Sequence, residues 1–432
     1  MTVSIFVFSL CGAMALGMPI AYSLLVCGVC LMAYLAGNGT LQAFDTQILA
    51  QRFVDGADNF PLLAVPFFLL AGEFMNTGGL SKRIVNLGIA WVGHWRGGLG
   101  YVAVVAAIIM ASLSGSAIAD TAAIAAIVIP MMKAAGYNLG RSAGLVAAGG
   151  IIAPVIPPSI GFIVFGVAGN VSITKLFLAG IVPGVMMGVA IGIAWWFVAK
   201  KENVELTPKL PLAERLRITA DSALAMFLPV IIIGGMKAGV FTPTEAAVVA
   251  AVYAFVVGIF VYREMKWNQV YGLFLAAGKT TAVVMFLVSA AMVSAWLITV
   301  ANIPTEVAAM LDPFMGNKTL MMFMMMVLIV AVGTALDFAP TVMILTPVLM
   351  PVVLKAGIDP VYFGVLFIMN NAIGLITPPV GTVLNVVAGV AKITLDESFK
   401  GVLPFLYAEL IVLFLLVFIP EFVTVPLQWM LH

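Results

Sequence analysis

Ser112, Ser114, Gly115 and Ser116 form a short polar run inside an apolar stretch, and further along Pro154, Ile156, Pro157, Pro158 and Ser159 interrupt a second one. The first run offers hydroxyls and flexible backbone. The second offers carbonyls, because adjacent prolines remove amide donors and free the carbonyls of the preceding turn. Facing one another, the two make an all-oxygen set suited to a small hard cation such as sodium. The chain offers the same pairing again, with Gly333, Thr334 and Asp337 opposite Ile376, Thr377 and Gly381, the latter flanking Pro378 and Pro379. Two related ion sites are therefore expected. The plainer alternative is that these Ser and Gly residues only turn the chain.

Asp120 and Asp337 lie near the start of the second arm of each polar turn, where a carboxylate can cap a helix or hold an ion. Pro340 and Thr341 suggest a late helix start after Asp337, leaving that side chain free for an ion or substrate. Asn370, Asn371 and Asn385 surround the second proline pair, where they can hydrogen-bond a ligand or join helices. Thr242, Pro243, Thr244 and Glu245 read as a capping box, which is structural. Glu73 is a carboxylate in an apolar run, close to what Asn76 to Gly79 mark as a segment end.

Elements that hold such groups must bring broken backbone together, and the breakers recur at one spacing. Pro130 pairs with Pro351, Gly136 with Gly357, Pro157 with Pro378, Pro158 with Pro379, Gly180 with Gly401 and Pro183 with Pro404, each 221 residues apart. A chain that repeats its helix interruptions duplicates places where backbone must leave the helix. Of the 432 residues, 63% are hydrophobic and only 9% charged, against about a quarter charged in soluble domains. The bilayer is the solvent, and backbone broken at membrane depth must be buried in protein or beside a cavity.

The stretch from Tyr101 to Pro130 breaks between Ser112 and Asp120, leaving arms of about twelve residues, each roughly 18 Å long and too short to cross a core of about 30 Å. This predicts a re-entrant hairpin, and Leu320 to Pro351 repeats it around Gly333 to Thr341. After each hairpin comes an apolar segment broken at its centre.

The stretch from Ala199 to Arg217 is the sizeable hydrophilic loop, and its Lys200, Lys201, Lys209, Arg215 and Arg217 place it in the cytoplasm. Counting outward puts fifteen basic residues inside and four (Lys175, Lys237, Lys318, Lys355) outside, with Arg52 unassigned. Five crossings separate the hairpins, so the repeats are expected to be inverted, the first opening inward and the second outward.

The expected fold is an all-α polytopic membrane protein of two inverted-topology repeats, each a re-entrant hairpin followed by a discontinuous transmembrane helix. Residues 1–100 are read as N-terminal scaffold helices with an amphipathic arm, and 101–198 as the first repeat (hairpin 101–132, broken helix 139–168). The cytoplasmic loop is 199–217, and further scaffold helices fill 218–318. The second repeat is 319–400 (hairpin 320–353, broken helix 360–390), and 401–432 is a C-terminal scaffold helix. Val3 to Leu35 is too long for one untilted span, and Phe60 to Met75 carries two prolines and a glutamate, so the topology of the first eighty residues stays open.

Other classes are excluded by what the chain lacks. A net charge of +1 gives no basic surface for nucleic acid. Cys11, Cys27 and Cys30 all fall in the first apolar segment, so there is no disulfide framework in the loops, and Cys27 and Cys30 have no nearby His or carboxylate to complete a metal site. His94 and His432 are the only histidines, which leaves no His-based centre, and no carboxylate dyad or Ser/His pair can be assembled for an intramembrane enzyme. The N-terminus has no basic flank or clear cleavage site and reads as a retained helix.

The first hairpin ASLSGSAIADTAAIAAIVIP, the break IIAPVIPPSI, the turn GVFTPTEAA and the second break LITPPVGTVLNV resemble the large membrane subunit of TRAP transporters, in order and over almost the whole chain. The resemblance implies an elevator-type secondary transporter of the ion-transporter superfamily, driven by sodium and importing organic acids across a bacterial inner membrane. It also implies two partners, a small four-helix membrane subunit and a soluble periplasmic substrate-binding protein, besides the surrounding lipid. No cofactor is expected beyond sodium as coupling ion. Asp120, Pro157, Pro158, Ser159, Pro378, Pro379 and Asn385 are then candidates to line the substrate site. Between Arg141 and the cytoplasmic loop the only basic residue is Lys175, so a substrate carboxylate would rest on helix N-termini, backbone amides and bound sodium.

Entry of an anion into a negative-inside cell is opposed by about 2.3 kcal/mol per charge per 100 mV, so a monoanion needs at least two accompanying cations. Two ion sites would supply them. Sialic acid, C4-dicarboxylates and sugar-derived keto acids all remain open as substrates, with a lean to a sialic-acid-like sugar acid. The competing reading is a passive channel or pore for small organic anions.

Overall fold

The computed structural model describes residues 2–39, 41, 44–202, 208–311, 314 and 316–431; His432 and the middle of the 199–217 loop lie outside the described residues. All its regular structure is helical, and nine helical stretches among the described residues are long and apolar enough to cross a membrane. The protein is a polytopic membrane protein.

The helices form two packed groups. The first contains α1 (Thr2–Ala15), α2 (Ile20–Gly37), α3 (Thr46–Ala57), α4 (Ala64–Thr77) and α5 (Leu80–Val92). The second begins with α6 (Gly98–Ser114), α7 (Ala117–Ala134), α8 (Leu139–Gly150), α9 (Ile160–Gly169) and α10 (Ile173–Ala199). The chain then returns to the first group with α11 (Leu212–Lys237), α12 (Pro243–Val256) and α13 (Trp267–Val300), followed by α14 (Ile303–Leu311). It ends in the second group with α15 (Lys318–Ala335), α16 (Phe338–Lys355), α17 (Pro360–Gly374), α18 (Thr382–Ala391), α19 (Leu395–Phe418) and α20 (Glu421–Leu431). Within the first group α4 packs on α12, α3 and α2 on α13, and α5 on α11; the groups meet mainly where α5 lies on α6 and α13 and α14 on α16.

The long opening stretch resolves into α1 and α2, separated at Gly17, whose φ of 82° ends the first helix, and at Pro19, which precedes the second. Phe60 to Met75 becomes a 3₁₀ turn (Phe60–Leu63) running into α4, so Glu73 sits inside a helix that continues to Thr77. Cys27 is buried with its thiol on the Phe6 carbonyl, and Cys11 and Cys30 are exposed; all three are free. The pattern at Thr242 is a true capping box: Thr242 Oγ1 accepts from the Glu245 amide at 3.3 Å, and the Thr242 amide donates to Glu245 Oε2 at 2.8 Å.

The 221-residue spacing survives into the element boundaries. The pair α7 and α16 begins at Ala117 and Phe338 and ends at Ala134 and Lys355, and α8 and α17 begin at Leu139 and Pro360. The peptide bonds Pro157–Pro158 and Pro378–Pro379 are both cis. The register slips by one after the second proline pair: Ser159 caps α9, whereas Gly381, at φ 46°, precedes α18.

The hairpin arms are longer than the sequence suggested. They run to 17 and 18 residues in α6 and α7, because helix continues through Ser112 and Ser114 and resumes at Ala117, so only Gly115 and Ser116 turn the chain. In the second hairpin only Leu336 and Asp337 separate two 18-residue helices. At about 1.5 Å per residue such arms approach the thickness of the hydrocarbon core, and arm length alone does not make them re-entrant.

Helices from the two halves of the second group cross tightly. A side chain on Gly401 of α19 would collide with the Gly140 carbonyl of α8, and one on Gly144 with the Gly401 backbone, so backbone packs directly on backbone.

Candidate functional site

At the first hairpin tip, Gly115 adopts φ 65°, a left-handed conformation that favours glycine. A Cβ there would also overlap the Pro158 carbonyl oxygen, so the tip rests directly on the break between α8 and α9. Ser116 caps α7 by accepting the Ala119 amide at 3.4 Å. Asp120 is therefore not the cap. Its carboxylate turns inward, 2% exposed, and accepts a 2.5 Å hydrogen bond from the Ser114 hydroxyl, while its second oxygen has no partner among the described residues. An unpaired buried carboxylate oxygen is costly and calls for a proton or a cation. Ser112 donates to the Ile109 carbonyl at 2.6 Å, which returns its hydrogen to the helix.

The break itself supplies carbonyls. Val155 and Ile156 donate their amides to the Ile152 carbonyl, and the Ser159 hydroxyl donates to the Pro154 carbonyl while accepting from the Phe162 amide at 3.1 Å. Among the described residues the carbonyls of Ala153, Val155, Ile156, Pro157 and Pro158 receive no backbone amide. All these residues are buried, so their unfilled lone pairs face protein interior.

The second hairpin repeats the contact with different atoms. A Cβ on Gly374 would stand 2.7 Å from the Gly333 carbonyl oxygen, which places the last turn of α15 on the end of α17. Asp337 occupies the cap position of α16, but its side chain bonds no helix amide; it accepts from Thr382 Oγ1 at 3.4 Å, and the helix starts at Phe338 rather than at Pro340. Thr334 donates to the Ala331 carbonyl at 2.8 Å and Thr377 to the Ile373 carbonyl at 2.9 Å. The carbonyls of Ile376, Thr377, Pro378 and Pro379 receive no amide among the described residues. Asn385 lies in α18, its side-chain amide donating to the Val380 carbonyl at 2.8 Å.

The two sites adjoin. A Cβ on Gly161, at the start of α9, would come within 2.7 Å of the Phe338 ring at the start of α16. Ser114, Gly115, Ser116 and Asp120 lie at the first tip and Pro154 to Ser159 in its break, and Asp337 and Ile376 to Gly381 lie correspondingly in the second half, whereas Glu73 lies in α4, Asn370 and Asn371 in α17 and Asn385 in α18.

Of the asparagines around the second proline pair, Asn371 joins helices, while Gly72 and Glu409 come forward through packing alone. Asn371 donates to the Phe338 carbonyl at 2.6 Å and its own oxygen has no partner among the described residues, so it ties the second tip to α17. Gly72 of α4 lies against Ser114, with a built Cβ 3.2 Å from the Ser114 Cβ, so the first group of helices touches the first tip one residue from Glu73. Glu409 is fully buried in α19, neither oxygen having a partner among the described residues, and the long apolar run around it hides it in the sequence.

A polytopic, all-helical chain with broken helices at its centre has the form of a membrane permease. The chain matches the family model described as the tripartite ATP-independent periplasmic transporter, DctM component, over residues 7–422, and it belongs to that family as a large permease of the bacterial inner membrane. It is 55% identical over 429 residues to a putative TRAP transporter large permease protein of Haemophilus influenzae, covering 99% of this chain and 100% of that one. It is 54% identical, with the same coverage, to the 2,3-diketo-L-gulonate TRAP transporter large permease protein YiaN of Escherichia coli. The solved YdaH transporter of Alcanivorax borkumensis shares the fold, with a TM-score of 0.65 over 88% of each chain at 15% identity.

Proposed function

We propose that this permease imports an organic acid anion together with sodium, moving the second helix group past the first as an elevator. The observation that carries the reading is that each hairpin lies backbone to backbone on its broken helix, Gly115 of the first tip on Pro158 and Gly333, in the last turn of α15, on Gly374 at the end of α17. Each contact joins unfilled carbonyls to hydroxyls, and the first adds a carboxylate oxygen, a donor set for a small hard cation. The two repeats are inverted, with the first hairpin opening to the cytoplasm and the second to the outside. Two sodium ions offset a monoanion's electrical cost of about 2.3 kcal/mol per 100 mV.

Two packed groups that meet along α5, α6, α13 and α16 supply the parts an elevator needs, one to hold and one to carry. The substrate sits between the breaks, where the N-terminus of α9 and the amides around Ser159 and Gly381 receive a carboxylate. The name of the Escherichia coli relative moves the substrate proposal from a sialic-acid-like compound to a sugar-derived keto acid of the 2,3-diketo-L-gulonate type. A small membrane subunit and a periplasmic binding protein complete the tripartite system, and the binding protein selects the substrate.

The test is sodium titration of uptake in Ser114→Val and Thr377→Val. Both should require more sodium for half-maximal uptake, and unchanged sodium dependence in both would remove the ion-site assignment.

A further inference from the structure

An apolar groove of about 660 Å³ runs between α10 and α19, walled by Ala194, Phe197, Ala408 and Ile411, with Lys201 at one end. The Lys and Arg bias of the loops puts that end at the cytoplasmic surface. From Ala190 to its end at Ala199 α10 carries the groove for roughly 14 Å at the helical rise, close to half the thickness of a hydrocarbon core, and Lys201 lies just beyond. It is one leaflet deep. Elsewhere α10 is covered by α20, which follows the outer end of α19 and packs on α10, yet no residue of α20 lines the groove. At the mouth Lys201 pairs with no acidic side chain among the described residues, and the neighbouring Lys200 ammonium lies 3.3 Å from the Trp196 ring centroid. Trp196 and Phe197 are about half exposed there, the aromatic and basic composition of a membrane interface.

We infer that this groove is a binding site for an anionic phospholipid of the inner leaflet, with one acyl chain between α10 and α19 and the headgroup phosphate on Lys201. Length, polarity and charge each point to that occupant: the furrow matches one leaflet, its walls are apolar, and its mouth is cationic. A zwitterionic lipid would fill the furrow and present a phosphate too, but its own ammonium competes with Lys201 for that phosphate, whereas an anionic headgroup leaves it to Lys201. Because α10 and α19 come from the two halves of the second group, a lipid seated there clasps those halves on the inner side as α20 does on the outer. The site rests on the orientation of the chain and not on the sodium-coupling proposal.

The full chain, co-purified with its small subunit from nanodiscs of palmitoyl-oleoyl phosphatidylethanolamine and phosphatidylglycerol at 3:1, is examined by native mass spectrometry. Wild type should retain phosphatidylglycerol at least threefold above its share of the bilayer. Lys201→Ala should lower that enrichment at least twofold while phosphatidylethanolamine is kept, and Ala194→Trp should remove the retained lipid. Ile411→Trp blocks the groove from the other helix and serves should Ala194→Trp fail to fold. Phosphatidylglycerol held only in proportion to the bilayer, or equal retention in wild type and a folded groove-blocking variant, would overturn the inference. So would a dimer that Ala194→Trp converts to a monomer, since the groove would then be a contact between copies.

Discussion

Gly115 lies so close to Pro158 that a methyl group on its Cα would overlap the Pro158 carbonyl oxygen, and its φ of 65° disfavours any side chain independently. The left-handed conformation costs an L-residue roughly 1–2 kcal/mol, and the overlap adds displacement of the tip from the break. Gly115→Ala should therefore still insert in the membrane but lose at least tenfold in uptake rate, measured in proteoliposomes against protein amount. Near wild-type uptake would mean that the tip-to-break contact is not part of the site.

Asp120 offers one buried oxygen with no partner among the described residues. Asp120→Asn keeps the shape and can still accept from Ser114, yet it replaces a carboxylate oxygen with an amide. The expected outcome is a sodium half-saturation raised about tenfold, equivalent to about 1.4 kcal/mol of ion binding, with the keto-acid affinity changed less. An unchanged sodium curve would return Asp120 to a purely structural role.

Asn371 holds the second tip through its 2.6 Å bond to the Phe338 carbonyl. Asn371→Leu removes that tether while the Phe338 carbonyl keeps its place in the first turn of α16, at a cost of about 0.5–1.5 kcal/mol. Hydrogen exchange should quicken at the amides following Asp337 while the first hairpin keeps its protection. Equal exchange in both hairpins would show that the bond does not secure the tip.

Arg83 fastens α5 to α11 and to the segment that follows α12. Its Nη1 lies 2.6 Å from Glu264 and its Nε 3.1 Å from Asp221 as an ion pair without hydrogen-bond alignment, while its guanidinium carbon stacks 3.6 Å from the Tyr262 centroid. The Arg83 side chain is only 15% exposed. Arg83→Ala should lower the thermal midpoint through a loss of roughly 1–3 kcal/mol, between exposed and buried pairs, and leave sodium affinity unchanged. A shifted sodium affinity with an unshifted midpoint would contradict that division of labour.

Much of this was legible in the sequence, because the residues that break helices are local signals. Pro157, Pro158, Pro378 and Pro379 cannot donate amides wherever they fall, so the breaks were readable without any packing information. The hairpin turns were drawn too wide for a related reason: Ser112 and Ser114 look like turn residues, yet Ser112 returns its hydroxyl to Ile109 and Ser114 finds Asp120, so helix persists to the tip. Contacts made by the absence of a side chain stayed invisible. Gly72 against Ser114 and Gly401 against Gly140 depend on which helices cross, and that is set by tertiary packing rather than by spacing along one segment. The substrate was not legible either, since amides and carbonyls, the groups proposed to hold it, are common to every residue and carry no side-chain signature.

The central claim is tested most directly by accumulation. The permease, with its small subunit and binding protein, is placed in proteoliposomes, and internal 2,3-diketo-L-gulonate is followed under an imposed inward sodium gradient. Internal substrate should rise above the external concentration, collapse when the sodium gradient is dissipated and increase with a negative interior. Equilibration to the external concentration regardless of sodium would contradict it and leave a passive pore.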